Sequence, residues 1–204
     1  MAPTPKEALD LKEACVQAAH EAIAEHGLEK LSLRDVARRL GVSHQAPYKH
    51  YPSRDHLLAE VMRRCFAGFA DELDARERHE DPSQDLDSLG RQYLRYAAEH
   101  PLEYRLMFAT PWPEAAEYAE MCAASARAFD VLRVALQRLY GTGVPKAKID
   151  ADAMFIWSCV HGQATLRQLG HCAHLNLAAK VESGMTEHAL SMVTHALRGA
   201  LQAQ

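Results

Sequence analysis

Apolar residues recur with a helical period along most of the chain. Ala8, Leu11, Cys15, Ala18 and Ala22 share one face of residues 6–26, the spacing of a helix with a buried stripe. Gly27 follows as a C-terminal stop. Ser32 and Asp35 form a Ser-x-x-Asp start for a second helix, which runs to about Leu40. A longer helix is predicted from Arg54 to Ala75, then others over 84–100, 101–109, 113–140, 147–169 and about 184–201. Counting a short helix after Ser43, the pattern gives roughly nine, a small N-terminal trio and a larger bundle. Gly and Pro punctuate these segments, at Gly41, Pro52, Pro82, Pro101, residues 141–145, Gly170 and Gly184 among other positions. Neither sustained period-two alternation nor an Asn-Gly or Asp-Gly hairpin signal occurs. The predicted fold is therefore all-α.

The last helix carries more apolar surface than one core needs. Ala189, Val193, Ala196 and Ala200 form a stripe that Leu190, Leu197 and Leu201 broaden. Packing on its own domain requires only one stripe. The surplus predicts a subunit interface, a four-helix bundle made with residues 147–169 of each protomer.

Residues 31–58, LSLRDVARRLGVSHQAPYKHYPSRDHLL, read as helix, tight turn and helix. Ala37 is small where a second helix crosses, and Gly41 suits a turn that a side chain would strain. Leu33, Val36, Leu40 and Val42 supply the apolar face. Ser43 is a good N-cap for a following helix that presents His44, Gln45, Ala46, Tyr48 and Lys49 outward. Gln can pair with adenine and Ala offers a methyl to thymine, so this helix suits a major groove. Pro47, in its first turn, forfeits a backbone donor and tightens the turn.

Charge changes the picture locally. The whole chain of 204 residues is acidic, at −4. Residues 30–54 nonetheless hold Lys30, Arg34, Arg38, Arg39, Lys49 and Arg54 against the single acid Asp35, a local charge of +5. Phosphate contacts of this kind dominate affinity for nucleic acid.

This stretch resembles the DNA-binding domain of the TetR family of bacterial transcriptional regulators. The likeness lies in LSLRDVARRLGVS, then Tyr48-Lys49-His50-Tyr51 and Pro52-Ser53-Arg54-Asp55-His56-Leu57-Leu58. Tyr51 stands where Phe is more usual, and Arg54 where Lys is common. The resemblance implies phosphate contacts from Tyr48, Lys49 and His50, and an approach to bases by His44, Gln45 and Ala46. It implies further backbone contacts at Ser32 and Arg54, with Arg34 and Ser43 completing the DNA-binding set. It also implies a helix-turn-helix domain over 1–58 and an effector-binding and dimerisation domain over 59–204. The partners implied are double-stranded operator DNA, a second copy of the chain and a small-molecule effector, with repression as the common mode.

Trp157-Ser-Cys-Val-His161-Gly162, with Tyr104-Arg105-Leu106-Met107-Phe108, is similar to a TetR subfamily with a Trp…His-Gly motif in its C-terminal domain. Trp157 and His161 are four apart and so neighbours on one helix face, and Gly162 permits close helix approach. Both residues suit a core role. In an effector site, His161 would offer a hydrogen bond within a lining of Tyr104, Met107, Phe108, Trp112, Met121, Phe129 and Trp157.

Other chemistry finds less support. His171, Cys172 and His174 could serve a metal-responsive regulator, but no second cluster sits at a familiar spacing. A solvated loop after Gly170 is the favoured reading, with no metal and no cofactor. His20-Glu21 with His26 is not HExxH, and GxSxG, GxGxxG and P-loop patterns are absent. The chain is therefore expected not to be an enzyme. A third alternative is an all-α enzyme or interaction protein with an incidental helix-turn-helix. Charges in the N-terminal segment rule out a secretory apolar region, and no stretch approaches the roughly 18 apolar residues of a membrane span. Five cysteines without a CxxC pair fit reduced thiols in a cytoplasmic protein.

Overall fold

A computed structural model of the chain describes residues 5–113, 118–168, 170, 174–178 and 181–202. Among these there is no strand. Eight α-helices are present: α1 (Pro5–His26), α2 (Leu33–Arg39), α3 (Arg54–Asp74), α4 (Pro82–Glu99), α5 (Pro101–Phe108), α6 (Ala119–Tyr140), α7 (Lys146–Gln168) and α8 (Val181–Gln202). Two 3₁₀ turns, Leu28–Lys30 and Pro47–Lys49, complete the described elements. The all-α expectation holds, and the helix bounds read from periodicity agree to within a few residues. The exceptions are the segment after Ser43 and the start of α6.

The chain divides into two interleaved compact units. One comprises Met1–Phe66 with Arg105–Ser125, the other Ala67–Tyr104 with Ala126–Gln204. The division falls inside α3, α5 and α6, so three helices contribute to both.

In the first unit α1 buries Cys15, Ala18, Ala19, Ala22 and Ile23, the stripe that its period requires. α2 is short and needs both of its ends fixed. At its start Ser32 Oγ accepts from the Asp35 amide at 3.1 Å and donates to Asp35 Oδ2 at 2.8 Å. At its end Gly41 adopts φ 65°. The Gly41 amide donates to Arg38 O and the Val42 amide to Ala37 O, the paired bonds of a Schellman stop. Ala37 is fully buried where α1 and the segment after Gly41 both meet α2. A salt-bridged clasp joins α1 to α3: Arg64 donates to both oxygens of Glu13, at 2.6 and 2.8 Å, and to Glu60 at 2.9 Å. Tyr51 is buried and donates to Lys12 O.

The second unit is built on α4, which packs against α7 and α8. Asp81 caps α4 by accepting from the Ser83 amide at 2.8 Å, and Pro82 occupies the first turn, where a missing N–H costs nothing. Asp85, one turn further, is a buried carboxylate. Arg76 Nη2 and Arg138 Nη1 both donate to its Oδ2, at 2.9 and 2.7 Å, and the His79 amide donates to Oδ1. Leu190, Val193 and Leu197 form the buried stripe of α8. Leu190 lies over Gly90, where a Cβ would stand 2.5 Å from Leu190 Cδ2. Ala189 is half-buried and Ala196 exposed, so the leucines and Val193, not the alanine stripe, hold this helix.

Candidate functional site

Residues 43–50 are the segment expected to read DNA, and they are not an α-helix. The Ala46 amide donates to Ser43 O, Lys49 to Ala46 O and His50 to Pro47 O, all three-residue steps. Pro47 has no N–H, so the first α-type bond, from residue 47 to Ser43 O, cannot form. The expectation that Ser43 caps an α-helix is therefore corrected: it acts through its carbonyl at the head of a turn. Pro47 is among the fully buried side chains. Its carbonyl takes both His50 and Tyr51 amides, which anchors the turn from within.

That anchor decides which side chains face outward. Ser43, His44, Gln45, Tyr48 and Lys49 are exposed, whereas Ala46 and His50 are half-buried. Five of the expected contact residues thus form one exposed rim. Arg34 is exposed on α2, and Ser32 is half-buried with its hydroxyl engaged in the cap.

Charge is more specialised than the local sum of +5 suggests. Arg38 pairs with Asp35 at 2.7 Å, and Arg39 with Glu25 of α1 at 2.6 Å. Arg54 donates to Leu31 O at 3.2 Å, to Leu28 O at 2.9 Å and to Asp55, so it braces the entry to α2. Phosphate would have to compete with those carbonyls for it. Lys30, Arg34 and Lys49 are exposed, and no ion pair is formed by them among the described residues. The Ser32 hydroxyl, followed by Arg38, holds the Asp35 carboxyl below the usual carboxylate range.

The eight residues expected to line an effector site fall into two groups. Tyr104, Phe129, Trp157 and His161 lie in the second unit. Trp157 and His161 rings are 5.5 Å apart, Phe129 meets Trp157 edge-on at 6.0 Å and Tyr104 stacks on His161 at 5.7 Å. Met107, Phe108, Trp112 and Met121 belong to the first unit. Phe108 and Trp112 both stand edge-on to Phe66, at 5.8 and 5.4 Å, while Met107 and Met121 are fully buried. Trp112 Nε1 donates to Met107 O.

Sequence reasoning missed Tyr93. Its hydroxyl lies 2.9 Å from Tyr104 Oη and 3.1 Å from His161 Nδ1, and accepts from Trp157 Nε1 at 3.1 Å. Leu86, Leu89, Tyr93 and Tyr96 are all buried on α4 and share its helical period, which was the available signal. Burial lowers the pKa of His161 and raises that of Tyr104 to about 12. Gly162 is not a point of close helix approach, since a Cβ there meets nothing within 4 Å.

His171 and Cys172 of the metal alternative lie outside the described residues, and His174 is exposed. No group of three or more His, Cys, Asp or Glu suited to a metal ion occurs among the described residues. No described helix is long and apolar enough to cross a membrane.

Comparison with known proteins agrees with the architecture. Residues 16–61 match the family described as bacterial regulatory proteins, tetR family, and residues 86–193 match the tetracyclin repressor-like C-terminal domain. The HTH-type transcriptional regulator Rv1816 of Mycobacterium tuberculosis is 30% identical over 102 residues, 48% of this chain and 43% of that protein. The chain thus spans less than half the length of that curated relative. The solved structure of a regulatory protein, SCO4313, is 23% identical with a TM-score of 0.74, covering 94% of this chain and 98% of that one. A transcriptional regulator from Rhodococcus sp. Rha1 is 26% identical with a TM-score of 0.64, covering 92% of this chain and 96% of that one. With both its N-terminal segment and more than half its length matched, the chain belongs to the TetR family of bacterial regulatory proteins.

Proposed function

We propose that the protein is a dimeric, effector-responsive repressor that binds double-stranded operator DNA through residues 43–50. The observation that carries this reading is the exposed rim of Ser43, His44, Gln45, Tyr48 and Lys49 on a turn anchored by buried Pro47. In it Gln45 and His44 meet base edges, Ala46 adds a methyl contact, and Tyr48, Lys49 and His50 meet phosphates. Lys30 and Arg34 extend the phosphate surface. The N-terminal 58 residues are the DNA-binding domain, and the remainder binds effector and dimerises. The protein works in the cytoplasm, and its C-terminal motif is that of the Trp…His-Gly subfamily.

The dimer reading rests on apolar surface with no cover in the single chain. Met154, Phe155 and Leu166 on α7 are 48%, 47% and 46% exposed, and Met192 on α8 is 59% exposed. Phe155, Gly162 and Leu166 lie seven and eleven residues along one face of α7, and Gly162 has open space beside it. A second copy closing on this face completes a four-helix bundle of α7 and α8. Dimerisation also matches a two-fold operator with half-sites about 34–36 Å apart.

The effector binds among Tyr104, Phe129, Trp157 and His161 of the second unit. It favours a conformation with a different spacing of the two DNA-reading turns, transmitted through α3. DNA then weakens effector binding by the same factor.

An electrophoretic shift with the DNA flanking its own gene tests the proposal. Specific retention that weakens steeply between 50 and 200 mM salt, roughly 10³-fold or more for six contacts, is expected. Weak retention that is independent of sequence overturns it. His161→Ala is expected to retain operator binding and lose the response to effector.

A further inference from the structure

We propose that Arg54 is a positioning residue for DNA and not a phosphate contact: its guanidinium clamps the carbonyls of Leu28 and Leu31 and so sets Lys30 and Arg34 against the DNA backbone. This rests on the DNA reading above and deepens it. It departs from the backbone contact that the family resemblance implies for Arg54.

The place of Arg54 in the chain is the first sign. It is the first residue of α3, where the helix end carries a positive partial charge. An acid suits that turn, and Asp55 supplies one. A cation at the same end is disfavoured unless acceptors outside the helix hold it. Those acceptors come from the turn before α2. Arg54 Nε donates to Leu31 O at 3.2 Å and Nη2 to Leu28 O at 2.9 Å, while Nη1 meets Asp55 Oδ1 at 3.2 Å.

The edge used is the one a phosphate needs. Nε–H and Nη2–H form the parallel pair through which arginine grips a carboxylate or phosphate with two bonds. Here two backbone carbonyls fill that pair. The remaining nitrogen sits beside the Asp55 carboxylate, whose charge opposes an approaching phosphate. Leu31 is 3% exposed, so its carbonyl, once released, would have little water to turn to, a state that buried acceptors avoid.

What the clamp holds explains its use. Lys30 lies between the two clamped carbonyls, and Ser32 and Arg34 open α2 just beyond them. Leu28 O also takes the Leu31 amide at 3.1 Å, so the guanidinium closes the 3₁₀ turn from outside and ties it to the start of α3. Lys30 and Arg34 are exposed, whereas Arg38 and Arg39 are engaged by Asp35 and Glu25. The cations left for phosphates on this side are thus the two whose backbone Arg54 fixes.

The Arg54 ¹⁵Nε–¹Hε resonance of the full-length protein, assigned by its loss in Arg54→Lys, reports the clamp in solution. The probe is a duplex cut from the DNA flanking its own gene and retained in the electrophoretic shift. Slow exchange with water is expected in the free protein, and the resonance should stay in place when the duplex binds while the Lys49 amide moves. Fast exchange in the free protein overturns the inference, and so does a displacement by the duplex as large as that of Lys49. Fluorescence anisotropy with the same duplex supplies the second readout. Arg54→Met is expected to lower affinity at least about fivefold in the wild-type background, but less than about twofold when Lys30→Met and Arg34→Met are already present, because coupled residues are not additive. Equal losses in both backgrounds overturn the inference. Should Arg54→Met unfold, the wild-type resonance alone decides. If no duplex is retained, the DNA reading itself fails and this inference falls with it; a retained duplex that displaces the Arg54 resonance sinks this inference alone.

Discussion

Asp85 sits 1% exposed with two guanidinium groups on one oxygen, and Arg76, its closest-buried partner, is equally enclosed. Burial pushes the Arg76 pKa down and the Asp85 carboxylate opposes that; the Arg76 Nε has no partner among the described residues. Removing the carboxylate would leave that charge buried and uncompensated. Asp85→Asn is therefore expected to cost about 3–5 kcal/mol in urea unfolding. Arg127→Ala, which breaks an exposed pair with Asp71, should cost far less, because water screens that pair. Equal costs for the two would refute the role given to the buried pair. By sequence Asp85 is an ordinary acid in a first helical turn, because Arg138 lies 53 residues away. The side chains proposed to read DNA divide at the same scale. Tyr48→Ala and Lys49→Ala should weaken binding to all duplexes alike, while Gln45→Ala should change sequence preference, by about 1–3 kcal/mol at one base pair. Fluorescence anisotropy on an operator and its single-base variants separates these outcomes.

At the level of elements, α2 spans only Leu33–Arg39, too short to persist without fixed ends. Ser32 and Asp35 hold one end, and Gly41 at φ 65° holds the other. Ser32→Ala is expected to cost about 1 kcal/mol. Gly41→Ala should cost roughly 1–2 kcal/mol, because a Cβ is strained at that φ, and Gly41→Asn less. The Ser32 hydroxyl lowers the Asp35 pKa, so this carboxylate stabilises the fold above the unfolded value of about 3.9. That contribution disappears as pH falls through the lower folded value. Amide exchange should show α2 losing protection below about pH 4, and Ser32→Ala should reduce the pH dependence. Both caps were legible as local motifs. The 3₁₀ turn at Pro47–Lys49 was half legible: Pro47 announced a lost donor, but only packing showed its ring buried and the outward rim that results.

For the whole molecule, the uncovered face of α7 and α8 is the feature with the widest consequence. The double variant Met154→Glu, Phe155→Glu charges that face without touching the buried residues Ile149, Ala153, Ile156 and Val160. In analytical ultracentrifugation it is expected to sediment as a monomer with unchanged helix content. Its affinity for a two-fold operator should fall by at least about tenfold, since the half-sites would no longer be joined. A variant that stays dimeric would remove α7 and α8 from the interface. The compact units sharpen the view of the bundle as well. Phe108 and Trp112 pack on Phe66, while Tyr104, only four residues before Phe108, joins Tyr93 and His161. A list of aromatic residues by helical position cannot separate them, because α5 changes partners within two turns.

What the sequence by itself determined is what neighbouring residues decide: the all-α class, most helix bounds, the two caps of α2, the stop at Gly27 and the family motif. Each depends on side chains within a few positions of one another, where period and backbone preference act directly. Only the tertiary structure decided that Glu25 and Asp55 absorb part of the basic patch, that Arg138 completes the Asp85 site, and that Tyr93 meets His161. Those contacts join distant stretches of chain, and burial, which sets their strength, exists only once the helices have packed.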